Sequence, residues 1–272
     1  LSPHALHPIT LVSNVQLQPR LHRLTFTSEH FADYPLTGPD EFFGLVMPKK
    51  GTEFQPFEVD GINIRAAVAA MPEQTRPDLR WYTIRRFDHG ARRMDVDVVT
   101  HGDSGPGSRW IRQAKPGDVA GMFTCNALWV PPTDSQLLVA DASALPALRH
   151  ILEYQEANAP HALEETLVTA VVTAHEEVEH GLVDRWADKV AGFNVVETSK
   201  TLEAAAVADF LRQQYSHQIP RSVWVSGEGD LTKSVRRVAV KEWGLDPKDV
   251  IWVPFWFHGR AARDVECPAS RG

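Results

Sequence analysis

Arg80, Tyr82 and Thr83 bring a guanidinium, a phenol and a hydroxyl together in the run Arg80-Trp81-Tyr82-Thr83-Ile84-Arg85. A guanidinium can pair with a pyrophosphate. A phenol can lie beside an isoalloxazine or bond a ribityl chain, and a hydroxyl or backbone group can reach flavin ring nitrogens. The run reads as a strand, so Arg80, Tyr82 and Ile84 share one face while Trp81, Thr83 and Arg85 share the other. The same residues also describe an ordinary barrel strand with solvated arginines.

The second chemical segment is His101-Gly102-Asp103-Ser104-Gly105-Pro106-Gly107-Ser108-Arg109-Trp110, which follows a strand and opens a short helix ending before Lys115-Pro116-Gly117-Asp118. Small residues at the mouth of a helix let an anion approach exposed N–H groups, and the helix dipole favours the negative charge. Taken alone, the segment could equally be a plain glycine-rich turn.

Elsewhere the signals are weaker. Gly227-x-Gly229 is part of a dinucleotide fingerprint without its third glycine at the usual offset, and such fragments also occur as tight strand-to-helix turns. Lys49 and Lys50 follow one strand, and Lys233, Arg236 and Arg237 fall early in a helix. They form either a basic funnel for an anionic ligand or a solvated charged surface. His175 and His180 are separated by five residues, which does not stack two imidazoles on one helix face, so no metal site is expected there.

The elements that must position these residues fall into two textures. Residues 9–27 give two short β-rich runs broken at Pro19, and further strands are expected at 42–47, 79–87 and 93–101. In the last, Met94, Val96 and Val98 alternate with Asp95 and Asp97, as in a sheet with one wet face. Residues 48–78, rich in Pro, Gly and charge, read as a long loop.

After residues 131–134 the pattern becomes strand then helix: QLLVAD before Leu145, Leu148, Ile151 and Leu152 at helical spacing, then 166–174, 193–198 and 222–228. Alternation of this kind implies a mostly parallel sheet covered on both faces. Two domains are expected, 1–132 and 133–272.

The chain has 272 residues and a formal net charge of -7, which disfavours binding to nucleic acid or to an anionic membrane surface. Cys125 and Cys267 are its two cysteines, too few for a disulfide framework, an iron–sulfur cluster or a thiolate zinc site, and consistent with a cytoplasmic setting. No stretch approaches the roughly 18 apolar residues of a membrane span, so no stable membrane insertion is expected. Leu1 in place of Met suggests a trimmed start.

Together, Arg-x-Tyr-Thr-Ile-Arg and His-Gly-Asp-x-Gly-Pro-x-Ser-x-Trp, followed by Pro-Gly-Asp, resemble the FAD-binding siderophore-interacting proteins of the wider ferredoxin-reductase-like flavoprotein group. Val139-Ala140-Asp141-Ala142-Ser143-Ala144-Leu145-Pro146-Ala147 resembles that family's strand-to-helix turn. Trp224-Val225-Ser226-Gly227-Glu228-Gly229 is similar to its Gly-Glu segment, and Pro254-Phe255-Trp256-Phe257-His258-Gly259 to its near-terminal aromatic motif. The likeness spans nearly the whole chain.

The resemblance implies a β plus α/β architecture: an N-terminal six-stranded antiparallel Greek-key barrel carrying FAD, then an α/β nicotinamide-binding domain. On that basis Arg80, Tyr82, Thr83 and Ile84 would hold the flavin and its phosphates. Gly105, Pro106, Gly107 and Ser108 would wrap the pyrophosphate, with His101 and Gly102 nearby. Asp141, Ser143 and Ala144 would border the adenine side. Gly227 and Glu228 would border the nicotinamide of NADPH or NADH.

The implied activity passes electrons from NAD(P)H through FAD to Fe(III) held by a siderophore, in a monomer, with no catalytic side chain because the flavin carries the chemistry. Lys49, Lys233 and Arg236 are the candidates for the siderophore itself. This sequence departs from some family members because Phe43-Gly44-Leu45-Val46-Met47-Pro48 has no lysine within the strand, which shifts the basic site or favours a less acidic chelate. A general flavin oxidoreductase with another one-electron acceptor and a non-catalytic flavin-containing siderophore carrier are the alternatives.

Overall fold

The computed structural model describes residues 4–100 and 106–259, so His101, Gly102 and Gly105 lie outside the described residues. The chain divides into two compact units, one running to Ala127 and one beginning at Leu128.

The first unit contains β1 (Leu6–Gln18), β2 (Leu21–Thr27), β3 (Phe42–Met47), α1 (Ile64–Ala69), β4 (Asp78–Thr83), β5 (Arg86–Asp88), β6 (Arg93–Val99), α2 (Pro106–Gln113) and β7 (Val119–Thr124). Its strands form one antiparallel sheet in the order β4-β3-β7-β1-β2-β6-β5. Laid flat, seven strands at ~4.8 Å spacing would put β4 and β5 about 29 Å apart. Only Ile84 and Arg85 separate the two in the chain, a gap that spans at most about 11 Å. The sheet therefore rolls up until its edges approach. The corner is pinned by Ile84 N donating to Glu41 O and Arg85 N to Asp95 O, each at 2.9 Å.

That corner is why the strand expected over 79–87 is two strands, β4 and β5. Six strands have six or more residues and the seventh, β5, has three. Met94, Val96 and Val98 of β6 join Leu24, Phe26, Phe43 and Leu45 in the core, as their alternation predicts. The opposite face of β6 is drier than expected. Asp97 is buried because Arg23 meets it with two 2.7 Å hydrogen bonds, and Arg85 lies 3.9 Å away. The long connection expected over residues 48–78 ends where β4 begins at Asp78, and before that it holds only α1 among α-helices and strands.

The second unit contains β8 (Gln136–Asp141), α3 (Leu145–Asn158), α4 (Pro160–Glu164), β9 (Thr166–Val172), α5 (Leu182–Trp186), β10 (Gly192–Glu197), α6 (Glu203–Tyr215), β11 (Ser222–Glu228), α7 (Gly229–Arg237) and β12 (Val250–Trp256). Its five strands are parallel, in the order β10-β9-β8-β11-β12. Central β8 is buried along its whole length, as a strand covered on both faces must be. The order reverses between β8 and β11, and open parallel sheets bind ligands beyond the carboxyl ends of their strands at such a switch point. Asp141 ends β8 there and Glu228 ends β11. Among the described residues, no helix is long and apolar enough to cross a membrane.

Candidate functional site

β4 and the first turn of α2 come together in the first unit. A Cβ built on Gly107 would lie 3.3 Å from Arg80 Cγ, 3.4 Å from Tyr82 Oη and 3.7 Å from Arg80 Nε. The glycine thus sets how closely the helix mouth approaches the arginine strand. The first turn of α2 carries no acidic residue, which leaves the positive end of the helix dipole uncompensated by side chains of that turn. Arg80 Nη1 donates to Leu79 O at 2.7 Å, which orients the guanidinium. A basic side chain against a helix mouth of small residues is a cradle for a diphosphate.

Tyr82 is half-buried, and burial pushes its phenol up to about 12, partly opposed by Arg80. It stays neutral at physiological pH and keeps its O–H as a donor. Thr83 points to the other face and is buried, and among the described residues its Oγ1 has no hydrogen-bond partner. A buried hydroxyl without a partner costs free energy unless a ligand or water satisfies it. The cradle formed by Gly107, Arg80 and Tyr82 fits the diphosphate of a bound flavin nucleotide. Ile84, by contrast, is fully buried in the hydrophobic core. Ser108 is half-buried on the first turn of α2.

Three cations surround one carboxylate beside the cradle. Burial raises the Asp78 carboxyl, and Arg80, Arg109 and Lys49 all act to lower it. Register explains the grouping: β3 ends at Met47 opposite Asp78, which brings Lys49 back beside the start of β4. Lys49 also donates to Glu73 O at 2.6 Å. Arg109, one residue past Ser108, was not singled out as a cation by sequence reasoning. Its placement on α2 was the available signal. A separate cavity of about 440 Å³, lined in part by His7, His30, Tyr34, Glu41 and Cys125, uses none of the expected site residues.

In the second unit Asp141 is a hub. Fully buried, it accepts hydrogen bonds from Ser143 N (2.9 Å), Ser143 Oγ (2.5 Å), Ala144 N (3.3 Å), Glu228 N (3.0 Å) and Trp256 Nε1 (3.2 Å). Asp141 thus closes the turn of residues 141–144 that leads into α3, whose N-cap residue Ala144 supplies no side-chain cap. Glu228, by contrast, caps α7 itself. Its Oε2 accepts from Asp230 N (2.6 Å) and Leu231 N (2.9 Å), and its Oε1 from His258 N (3.0 Å).

The two glycines that flank Glu228 are spent on packing. Gly227 has φ of 130°, and a Cβ there would stand 2.4 Å from the Asp141 carboxylate. One on Gly229 would stand 2.0 Å from the Phe257 ring. Gly227 and Glu228 thus adjoin Asp141 at the switch point, with the space beside each glycine filled by protein. Lys233 and Arg236 lie on α7, over the rings of Phe257 (4.7 Å) and Trp252 (5.6 Å) respectively, and Lys233 pairs with Asp230 at 3.4 Å.

Sequence reasoning missed Lys200 and Glu203. Lys200 Nζ lies 2.9 Å from Glu203 Oε2, 3.4 Å from Asp141 Oδ2 and 5.3 Å from the centre of the Trp256 ring. They occupy the loop after β10 and the first turn of α6, and only their distance from Asp141 in the fold marks them.

Comparison with known proteins gives a consistent picture. The family model described as a siderophore-interacting FAD-binding domain matches residues 10–127, and the one described as siderophore-interacting protein matches residues 133–259. An NADPH-dependent ferric-chelate reductase of Escherichia coli is 28% identical over 254 residues, covering 91% of each chain. The ferric vibriobactin reductase ViuB of Vibrio cholerae is 23% identical over 248 residues, covering 88% of each. The crystal structure of the siderophore-interacting protein SipS from Aeromonas hydrophila superposes with a TM-score of 0.73 at 25% identity, covering 95% of this chain and 94% of that one.

Proposed function

From the premise that this chain belongs to the siderophore-interacting FAD-binding family, we propose that it is a ferric-siderophore reductase that uses NADPH or NADH as electron donor and FAD as cofactor. The observation that carries the reading is the approach of Gly107 on α2 to Arg80 and Tyr82 on β4.

In this reading Arg80 and the backbone amides of Gly107 and Ser108, just after Pro106 at the start of α2, would hold the FAD diphosphate. Tyr82 would pack against the flavin, Thr83 would supply a hydrogen bond to it, and Ile84 backs the strand from the core. When bound, FAD takes two electrons as hydride and passes them singly, which matches a nicotinamide donor to Fe(III). Oxygen ligands hold Fe(II) less tightly than Fe(III), so reduction opens the chelate without cutting its organic part. No side chain need act as acid or base.

Lys49 and Arg109 extend the positive charge beside the cradle, and Lys233 and Arg236 supply it on α7. Each group is suited to draw in an anionic ferric siderophore to a chain of net charge -7. FAD is assigned to residues 1–132 and the nicotinamide to residues 133–272, near Gly227 and Glu228. The protein is assigned to the cytoplasm, as a monomer, without nucleic-acid or membrane partners.

The test is spectroscopic. The full chain loaded with FAD should absorb at about 450 nm, as oxidised flavins do. It should bleach anaerobically with NADPH or NADH, and recover on addition of a ferric siderophore. Protein that binds FAD but is never bleached by either nucleotide would point to a carrier or to a different donor. Protein with no affinity for FAD would remove the reading.

A further inference from the structure

Four carboxylates converge at the carboxyl ends of the second unit's strands: Asp141 (0% exposed), Glu177 (1%), Glu203 (1%) and Glu228 (4%). One ammonium, Lys200, is held among them. Three of the carboxylates have fixed donors. Asp141 and Glu228 accept the amide hydrogen bonds described above, and Glu177 accepts from Thr173 N at 2.9 Å and from the Thr173 hydroxyl. Glu203 differs. Among the described residues its hydrogen-bond partner is Lys200, a side chain rather than a backbone amide.

The surroundings limit how a dinucleotide can bind here. Its diphosphate would ordinarily sit on a helix N-terminus at the switch point. Asp141 accepts from Ser143 N and Ala144 N in the turn that precedes α3, and Glu228 from Asp230 N and Leu231 N in the first turn of α7, so a carboxylate already stands at each position. A diphosphate placed beside these carboxylates needs positive charge from a side chain to offset them. Lys200 stands at this edge of the sheet, and at 12% exposure its side chain is more open to solvent than any of the four carboxylates.

We propose that Lys200 and Glu203 are the phosphate-responsive pair of the second unit: the diphosphate of the donor takes the Lys200 ammonium as its counter-ion, and Glu203 takes up a proton from solvent in exchange. The inference rests on the reading that a nicotinamide dinucleotide binds this unit. The groups that face Glu203 favour the exchange. Asp141 at the end of β8 and Glu228 at the β11–α7 junction raise its affinity for a proton, and Lys200 alone lowers it. Glu177, after β9, acts on Lys200. Burial already lifts the Glu203 carboxyl to about 7 with the ammonium in place, so drawing Lys200 away completes the protonation.

The experiment is calorimetric titration of the FAD-loaded full chain with NADP⁺, which binds without delivering electrons. It is run slightly above neutral pH in HEPES and in Tris, phosphate-free buffers of unequal ionisation heat. The expected result is net proton uptake on binding, lost in Glu203→Gln, together with roughly tenfold weaker binding in Lys200→Gln that Lys200→Arg largely restores. Binding without proton uptake in the unaltered protein would overturn the proposal while leaving the dinucleotide reading intact. So would full uptake in Glu203→Gln, or undiminished affinity in Lys200→Gln. Absence of NADP⁺ binding would remove both. Should Lys200→Gln fail to fold, the proton count of the unaltered protein still decides.

Discussion

Gly107 on α2 lies so close to Arg80 on β4 that a methyl group in place of its hydrogen would come within 3.3 Å of the arginine side chain. Two segments separated in sequence by β5, β6 and a glycine-rich stretch are thereby joined into one cradle, and the arginine and the helix mouth can act on a single anion.

If that anion is the FAD diphosphate, Arg80→Ala should cost about 2 kcal/mol of binding, roughly 30-fold in Kd, the loss expected for a charge-assisted contact. Flavin should leave on dialysis while far-ultraviolet circular dichroism is unchanged, and Arg80→Lys should retain part of it. Full retention in the alanine variant would show that the cradle grips something else.

Gly227→Ala should destabilise the second unit by about 3 kcal/mol or more, because the new Cβ would meet the Asp141 carboxylate in a backbone conformation unsuited to L side chains. Urea denaturation measures it. A change within about 0.5 kcal/mol would mean that the contact between Gly227 and Asp141 relaxes freely.

The Glu203 carboxyl, raised to about 7 chiefly by burial, makes stability depend on pH. An unfolded glutamate ionises near its ordinary 4.5, so between there and 7 the folded state binds more protons. Stability is greatest below that window and falls as pH rises through it, by up to about 1.4 kcal/mol for each unit of pH. Glu203→Gln should flatten this fall and be the more stable form above neutral pH. Equal slopes for both proteins would assign the dependence elsewhere.

Lys233→Glu should weaken binding of an anionic ferric siderophore several-fold at low ionic strength, with the difference shrinking as salt is added. Flavin quenching by the chelate reads the affinity. Lys233 is solvent-exposed and its partner Asp230 is more exposed still, so the fold should be unaffected. An effect independent of salt would exclude electrostatic recruitment by this residue.

The periodicities were sufficient for most elements. Alternation placed Met94, Val96 and Val98 on one face of β6, and unbroken apolar runs marked β8 and β9 as buried parallel strands. β7 (VAGMFT) escaped notice because its β character is diluted by Gly121, whose missing side chain makes room for the Phe54 ring. Asp97 was read as solvated because local alternation cannot show that Arg23, from a strand far back in sequence, covers it.

By itself the sequence determined the chemical inventory: an arginine strand, a glycine-rich helix mouth, a change from antiparallel to alternating texture, and the motifs that mark the family. These follow from local covalent and hydrogen-bonding preferences, which act over a few residues and are written in residue order. Only the tertiary structure decided where charge resides. Asp141 and Glu228 look like ligand-facing residues in a motif but are committed to the amides of the turn before α3 and of the first turn of α7. Lys200 and Glu203, silent in any motif, meet Asp141 because β8 and β10 run parallel on either side of β9. Burial and electrostatic coupling depend on distances through space, and strand order fixes those distances.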